Sequence, residues 1–168
     1  NFWQQADEFV FLGALDWHED DQADFELVMI TCPRRLHIAN PDVTAPQADG
    51  GFSTEPGYWT ARMMQSAANQ GEEVDVRWYG KPYGPAFNLA LARMQMRLGN
   101  VSSRSLDHPF DPGRIAMVGD SLHTDILGGA AAGMTTVLIT DHGLFRGQDA
   151  LPFCISCGLL PDWIVKTL

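Results

Sequence analysis

Basic residues are scarce in this 168-residue chain, and their scarcity limits the partners that it can bind. The chain has 11 Lys and Arg against 21 Asp and Glu, which gives a formal net charge of −10. A surface of this charge repels the phosphates of DNA and RNA, whose binding depends on clustered basic side chains. We therefore expect no nucleic-acid partner.

Long apolar runs are also missing. No stretch approaches the roughly 20 apolar residues needed to cross a bilayer. The first residues, NFWQQADEF, lack the basic and then apolar pattern of a secretory signal. We expect no membrane association and a cytoplasmic location. With 45% hydrophobic residues, the chain can form one globular domain or two small lobes.

Cysteine is too rare for a disulfide scaffold. The three cysteines cannot all pair with one another, and Cys32 lies far in sequence from Cys154 and Cys157. The last two form a CxxC spacing, but a redox motif should open a helix after a strand. The segment FCISCG instead lies between Pro and Gly residues near the end. We interpret these cysteines as structural or incidental.

The first half of the chain has the pattern of a small α/β unit. A proline disfavours helix at the residue before it, so Asn40-Pro41-Asp42 predicts a turn. The other predicted elements are a buried strand over 9–15, an acidic loop HEDDQAD, a short helix in FELVMIT, a strand LHIA at 36–39, a loop over 43–56, and a helix from Pro56 to about Asn69.

The second half predicts a βαβ unit of a parallel sheet. The segment RIAMVGD is apolar almost throughout, which is typical of a strand buried on both faces of such a sheet. A right-handed crossover is expected, with ligands beyond the C-terminal ends of the strands. Around it we predict a short strand VRWYG, a helix in KPYGPAFNLALARMQMRLG, a helix DILGGAAAGM and a strand TTVLIT, with a boundary between lobes near residues 75–80.

Two acidic residues lie at and shortly after the end of the strand RIAMVGD. Asp120 ends that strand, and Asp125 lies near the start of the next helix, where negative charge is favoured. Two carboxylates at the ligand-binding edge of a sheet suit Mg²⁺, which prefers oxygen ligands and retains several waters. The alternative is that both serve only the fold, one in a turn and one as a helix cap. Between them, His123 is predicted to face solvent at the helix start.

Lys81 is the second candidate. It follows a predicted strand and precedes a Pro turn, so its ammonium is expected near the same sheet edge. A compact positive charge there suits a phosphoryl group. Without the two acids it would be a weak signal, because most lysines at strand ends are solvated.

Taken together, these segments resemble a known family. GKPYGPAFNLAL followed by RIAMVGDSLHTDILGGAAAGMTTVLITDHG is similar to the third and fourth signature motifs of the haloacid-dehalogenase-like (HAD) superfamily. The likeness is to its class IIA branch of sugar-phosphatase and nitrophenylphosphatase-like enzymes. LHIANPD and PGYWTARM resemble the cap domain of that branch, and LLPDWIVKTL resembles its last strand.

The resemblance implies a fold, a reaction and a set of roles. The fold would be α/β, with a cap-domain segment at residues 1–78 and the C-terminal half of a Rossmann-like core, a three-layer structure with a parallel sheet, at residues 79–168. The reaction would be Mg²⁺-dependent hydrolysis of a small phosphate monoester through an aspartyl-phosphate. Lys81 would stabilise charge, Asp120 would bind the metal, and Asp125 would support Asp120 or bind the metal through water. Asn40, Pro41 and Asp42 would face the substrate.

One part of the family pattern is missing. The nucleophile motif, DxDG or DxDT, does not occur, because no two aspartates are separated by a single residue. We therefore expect an N-terminally truncated or partly sequenced gene product that is inactive alone. The rival interpretation is a non-catalytic phosphate-binding or scaffold protein that has lost this motif. A homodimer formed through the cap is compatible with the resemblance. Sugar phosphates, nucleotides, phosphoglycolate and aryl phosphates all remain open as substrates.

Overall fold

The computed structural model describes residues 2–47, 51–100 and 110–168. The chain forms two compact units, Asn1–Gly80 and Lys81–Leu168. The predicted boundary lay after residue 78, so the structural division comes two residues later. Each unit has its own parallel sheet.

The first unit contains a parallel sheet of three strands. Their order is β1 (Glu8–Phe11), β2 (Arg35–Ile38) and β5 (Val76–Trp78). Helix α1 (Glu19–Thr31) connects β1 to β2, and helix α2 (Pro56–Asn69) lies between β2 and β5 in sequence. The core joins buried residues of both helices and the sheet, namely Phe25, Met29, Leu36, Ile38, Trp59 and Met63. Apolar burial of this kind is the main force that holds such a unit together.

Three sequence predictions in this unit were wrong. The buried strand predicted over 9–15 ends at Phe11, and Leu12 and Leu15 beyond it are exposed. The acidic segment predicted as a loop forms the first turns of α1, where Glu19, Asp20 and Asp21 lie at the positive end of the helix dipole. The backbone N–H of His18 donates to Asp21 Oδ2 over 3.0 Å, which further fixes the helix start. The predicted loop over 43–56 contains an antiparallel hairpin of β3 (Thr44–Pro46) and β4 (Phe52–Thr54).

The second unit contains a parallel sheet in the order β6 (Ala116–Gly119), β7 (Thr135–Ile139) and β8 (Trp163–Val165). Helix α3 (Gly84–Asn100) precedes the sheet in sequence. A π-helical turn (Leu122–Ile126) and the short helix α4 (Leu127–Ala131) connect β6 to β7, and α5 (Leu151–Cys157) precedes β8. The core of this unit includes Leu122, Ile126, Leu138, Phe145 and Cys154.

Strand β6 is less buried than its apolar sequence predicted. Ala116 is exposed and Met117, Val118 and Gly119 are only half-buried. Within the described ranges β6 pairs with β7 alone, so its other edge carries unpaired backbone groups. The predicted burial on both faces of this strand is therefore not observed within the described residues.

The CxxC segment also differs from its predicted irregular context, since it lies in α5. Cys154 is buried in the core of the second unit, and that burial raises the pKa of its thiol. A thiol of raised pKa is a poor nucleophile, which favours the structural role. No helix in the described part of the chain is both long and apolar enough to cross a membrane.

Candidate active site

Lys81 and Asp125 form an ion pair, although they are 44 residues apart in sequence. Lys81 Nζ lies 2.5 Å from Asp125 Oδ1, within charge-assisted hydrogen-bond distance. The Asp125 side chain is only 5% exposed, whereas that of Lys81 is 48% exposed. The buried carboxylate therefore anchors an ammonium group that is still accessible to a ligand.

Lys81 is the first residue of the second unit. The strand before it, Val76–Trp78, pairs with β2 in the first unit and not with β6 or β7. The strand before Lys81 therefore belongs to a different sheet from the one that Asp120 follows. Its place is instead fixed by the contact with Asp125 in the second unit.

Asp125 is held in the π-helical turn that follows β6. Its Oδ2 accepts a hydrogen bond from the Ser121 backbone N–H over 3.2 Å, while Oδ1 accepts from Lys81. The π register is seen in the bond from Ile126 N–H to Ser121 O, 3.2 Å long. Gly119 leaves room for the carboxylate, because a Cβ at that position would overlap the Asp125 side chain. Single π-helical turns of this kind are frequent at functional sites.

Asp120 directly follows β6 and is half-buried. Among the described residues, nothing donates a hydrogen bond to its carboxylate or forms an ion pair with it. The loop after β7 lies against this carboxylate at Gly143, where a Cβ would overlap Asp120 Oδ2. Gly143 also has φ +68, in the left-handed region that favours glycine. Gly143 was not predicted as part of the site, because its only signal in the sequence is a glycine shortly after a predicted strand.

These acids fit a hard cation only in part. The Asp120 carboxylate is available as a direct ligand, whereas both Asp125 oxygens already accept hydrogen bonds. No group of three or more His, Cys, Asp or Glu suited to a metal occurs in the described residues. A cation held here would therefore take most of its ligands from water and phosphate, which is how Mg²⁺ is often bound.

Asn40, Pro41 and Asp42 lie in the first unit, after β2. Asn40 Nδ2 donates to Glu55 Oε2 over 3.0 Å, and Asn40 Oδ1 accepts from the Asp42 backbone N–H over 3.1 Å. Both ends of the Asn40 amide therefore hold the turn in place. The predicted turn is present, and the predicted substrate contact of the three residues stays a prediction.

The two histidines near this site are exposed. His123 lies in the π-helical turn between Asp120 and Asp125, and His142 precedes the short 3₁₀ turn Gly143–Phe145. Neither has a hydrogen bond from its ring to another described residue. The exposure expected for His123 is therefore observed.

Comparison with known proteins places these features in a family. The sequence model described as HAD-hydrolase-like matches residues 78–167, a range that includes Lys81, Asp120 and Asp125. No curated protein sequence matches the chain. The match covers more than half of the chain and agrees with the resemblance seen in the motifs.

Solved structures show the same fold. A p-nitrophenyl phosphatase from Archaeoglobus fulgidus is 24% identical with a TM-score of 0.68, over 98% of this chain and 55% of that one. A possible sugar phosphatase of the HAD superfamily from Cytophaga hutchinsonii is 22% identical with a TM-score of 0.76, over 98% and 53%. A 4-nitrophenylphosphatase from Thermotoga maritima is 21% identical with a TM-score of 0.66, over 98% and 54%. The chain thus spans about half the length of these structures, and the predicted HAD-like α/β fold is confirmed.

Proposed function

Because the chain belongs to the HAD-hydrolase-like family, we propose that it forms part of a metal-dependent phosphatase that acts on small phosphate monoesters. The observation that carries the proposal is the Lys81–Asp125 ion pair at the turn that follows Asp120. A positive charge and an available carboxylate at one end of a parallel sheet can together bind a metal and a phosphoryl group.

Lys81 would stabilise the phosphoryl group directly. Its ammonium is anchored by a buried carboxylate, so its position is set before any substrate arrives. Preorganised charge of this kind lowers the barrier of phosphoryl transfer, because it needs no rearrangement when negative charge develops. The accessible side of Lys81 would face the non-bridging oxygens of the phosphate.

Asp120 would hold Mg²⁺, with Asp125 supporting the site through Lys81. The donor set suits Mg²⁺ because one carboxylate leaves several positions for water and for the phosphate. When bound, Mg²⁺ would neutralise phosphate charge. Gly143 would keep the Asp120 carboxylate in place by close approach of the β7 loop.

The attacking group would come from a segment outside this chain. In the proposed reaction an aspartate oxygen bonds to phosphorus as the ester P–O bond breaks, and water then hydrolyses the aspartyl-phosphate. Neither Asp120 nor Asp125 has a second aspartate two residues away to act as general acid and base. The edge of β6 that has no partner among the described residues, together with the half-length match to the phosphatase structures, supports an additional strand that brings this aspartate.

The substrate would be a small phosphorylated metabolite. The similar structures carry the names p-nitrophenyl phosphatase and possible sugar phosphatase, which favours small molecules over phosphoproteins. We propose that the first unit is a segment of the cap domain. Asn40, Pro41 and Asp42 would then contact the substrate from that unit.

Phosphate binding tests the proposal in this chain. Inorganic phosphate should bind in the presence of Mg²⁺, as followed by isothermal titration calorimetry, and Lys81→Met should weaken that binding at least tenfold. Lys166→Met is the matched control, because Lys166 is the other lysine of the chain and is exposed after β8. Equal binding by both variants would contradict the proposed role of Lys81.

A further inference from the structure

Gly128 lies in α4, three residues after Asp125 in the chain. It is buried, and its φ is not in the left-handed region, so its backbone conformation does not require glycine. The space around it does. A Cβ at Gly128 would overlap atoms Cε2 and Cζ of the Phe87 ring and would lie 3.1 Å from Pro82 Cα. The missing side chain therefore lets α4 approach the segment that begins at Lys81.

Two contacts join this segment to the part of the chain that carries Asp125. The first is the ion pair between Lys81 and Asp125. The second is the packing of Gly128 against Pro82, which is bonded to Lys81, and against Phe87 in the first turn of α3. The Lys81 side chain thus extends toward Asp125 from a stretch of backbone that Gly128 touches.

The contact around Gly128 has little room to adjust. Phe87 is only 5% exposed, so its ring has no open space into which it could turn. Protein interiors are packed as densely as organic crystals, and a group added to such a contact displaces its neighbours. Displacement of Pro82 would move the base of the Lys81 side chain relative to Asp125.

We propose that Gly128 is a positioning residue, which sets the place of the Lys81 ammonium by packing closely on Pro82 and Phe87. The inference rests on the proposed function, which gives Lys81 a phosphate to bind. Asp125 holds the end of the Lys81 side chain, and Gly128 holds the backbone from which it extends. Misplacement of a reacting group by about 1 Å can cost about a hundredfold in rate, so both ends of the side chain matter.

Gly129 provides a matched control on the same helix. It is also buried, and a Cβ there would lie 2.7 Å from Met117 Cβ and 3.3 Å from Thr136 Cγ2. These neighbours belong to β6 and β7, and the nearest atoms do not include Pro82 or Phe87. Gly129→Ala should therefore disturb the packing of α4 on the sheet without moving the Lys81 segment.

Phosphate binding separates the two glycines. Inorganic phosphate is titrated with Mg²⁺ into the ¹⁵N-labelled chain and followed by NMR, and thermal unfolding is measured on the same samples. Gly128→Ala should weaken phosphate binding by about fivefold or more. Gly129→Ala should change it by less than about twofold, because it shares no contact with the Lys81 segment. Both should lose stability, and equal phosphate affinities in the two folded variants would overturn the inference.

A double-mutant cycle tests whether Gly128 acts through Lys81. Lys81→Met removes the ammonium, so adding Gly128→Ala to it should change phosphate affinity by less than about twofold, whereas the loss of stability should persist. If Gly128→Ala weakens phosphate binding in Lys81→Met as much as in the unchanged chain, Gly128 acts on the site by another route and the inference is wrong.

Phe87→Leu keeps the test decisive if Gly128→Ala does not fold. Leucine lacks the two ring atoms that a Cβ at Gly128 would overlap, so the double variant Gly128→Ala/Phe87→Leu has room for the added methyl group. Phe87→Leu alone leaves a gap beside Gly128 and should weaken phosphate binding by about threefold. The double variant fills that gap and should restore the affinity. Equal phosphate affinity in Phe87→Leu, the double variant and the unchanged chain would contradict the inference.

The outcomes also separate this inference from the proposed function. If Lys81→Met weakens phosphate binding and Gly128→Ala does not, the role of Gly128 is overturned and the phosphate site remains. If Lys81→Met leaves phosphate binding unchanged, the phosphate site itself is overturned, and the role of Gly128 with it.

Discussion

The ammonium of Lys81 lies 2.5 Å from Oδ1 of Asp125, and the carboxylate that holds it is almost completely buried. The pair joins the start of the second unit to the turn after β6. In an active protein that contains this chain, Lys81→Met should lower kcat/KM by two to three powers of ten, or about 3–4 kcal/mol. Kinetics at saturating Mg²⁺ check this, with Lys166→Met as the control. A loss below about threefold would place Lys81 outside the site.

Asp120→Asn should remove Mg²⁺ binding and leave the fold intact. The change keeps the shape of the side chain, and no described residue depends on the Asp120 carboxylate for a hydrogen bond. Calorimetric titration with Mg²⁺ and thermal unfolding measure the two effects. Asp162→Asn should give the opposite result, because Asp162 accepts hydrogen bonds from the Thr136 N–H and hydroxyl but is not part of the site. Unchanged Mg²⁺ affinity in Asp120→Asn would contradict the assignment of Asp120 as a metal ligand.

Gly143→Ala should weaken Mg²⁺ binding at least tenfold, because the new Cβ would displace the Asp120 carboxylate. Gly147→Ala is a closely matched control, since Gly147 has a similar φ of +74 but nothing within 4 Å of the added Cβ. Both variants should lose about 1–2 kcal/mol of stability through the left-handed backbone. The account fails here if Gly147→Ala impairs Mg²⁺ binding as much as Gly143→Ala does.

Asp162 should make the second unit sensitive to acid. Hydrogen bonds from the Thr136 N–H and hydroxyl hold the pKa of Asp162 below its usual value of 3.8. A carboxyl with a depressed pKa in the folded state stabilises the protein above its unfolded pKa, and that stability is lost as the pH falls through the folded pKa. Asp162→Asn should therefore flatten the decline in stability below about pH 4. Chemical denaturation between pH 5 and pH 2 measures the free energy of unfolding of both proteins. If that free energy falls as steeply with pH in Asp162→Asn as in the unchanged chain, the proposed role of Asp162 is contradicted.

Sequence patterns were most informative where chemistry depends on local position. The end of an apolar strand places Asp120 at the edge where α/β folds bind ligands. The family was indicated by the resemblance of the segments around Lys81, Asp120 and Asp125 to its motifs, and the family model matches residues 78–167. The ion pair of Asp125 with Lys81 was not predicted, because a contact between residues 44 positions apart produces no periodic pattern in the sequence. Gly143 was missed for the same reason, since its requirement for glycine comes from a side chain on another segment.

Burial was harder to predict than the elements themselves. The apolar side chains of β6 show that the strand could be buried. They do not show which other segments of the chain cover it, and in the described residues β6 is only partly buried. The acidic segment HEDDQAD was predicted as a loop, yet it forms the first turns of α1, and its Gln22 is fully buried and donates to the Trp59 carbonyl oxygen over 3.0 Å. Such tertiary contacts override the local preference of polar residues for loops.

Phosphatase assays of this chain, alone and after fusion to a strand bearing a DxDG motif, test the central claim most directly. p-Nitrophenyl phosphate and a panel of sugar phosphates are the substrates, at millimolar Mg²⁺. The account predicts no turnover by the 168-residue chain, because Lys81 and Asp120 can bind charge but neither is a positioned nucleophile. It predicts turnover after fusion, abolished by Asp120→Asn. Mg²⁺-dependent turnover by the chain alone, also abolished by Asp120→Asn, would contradict it.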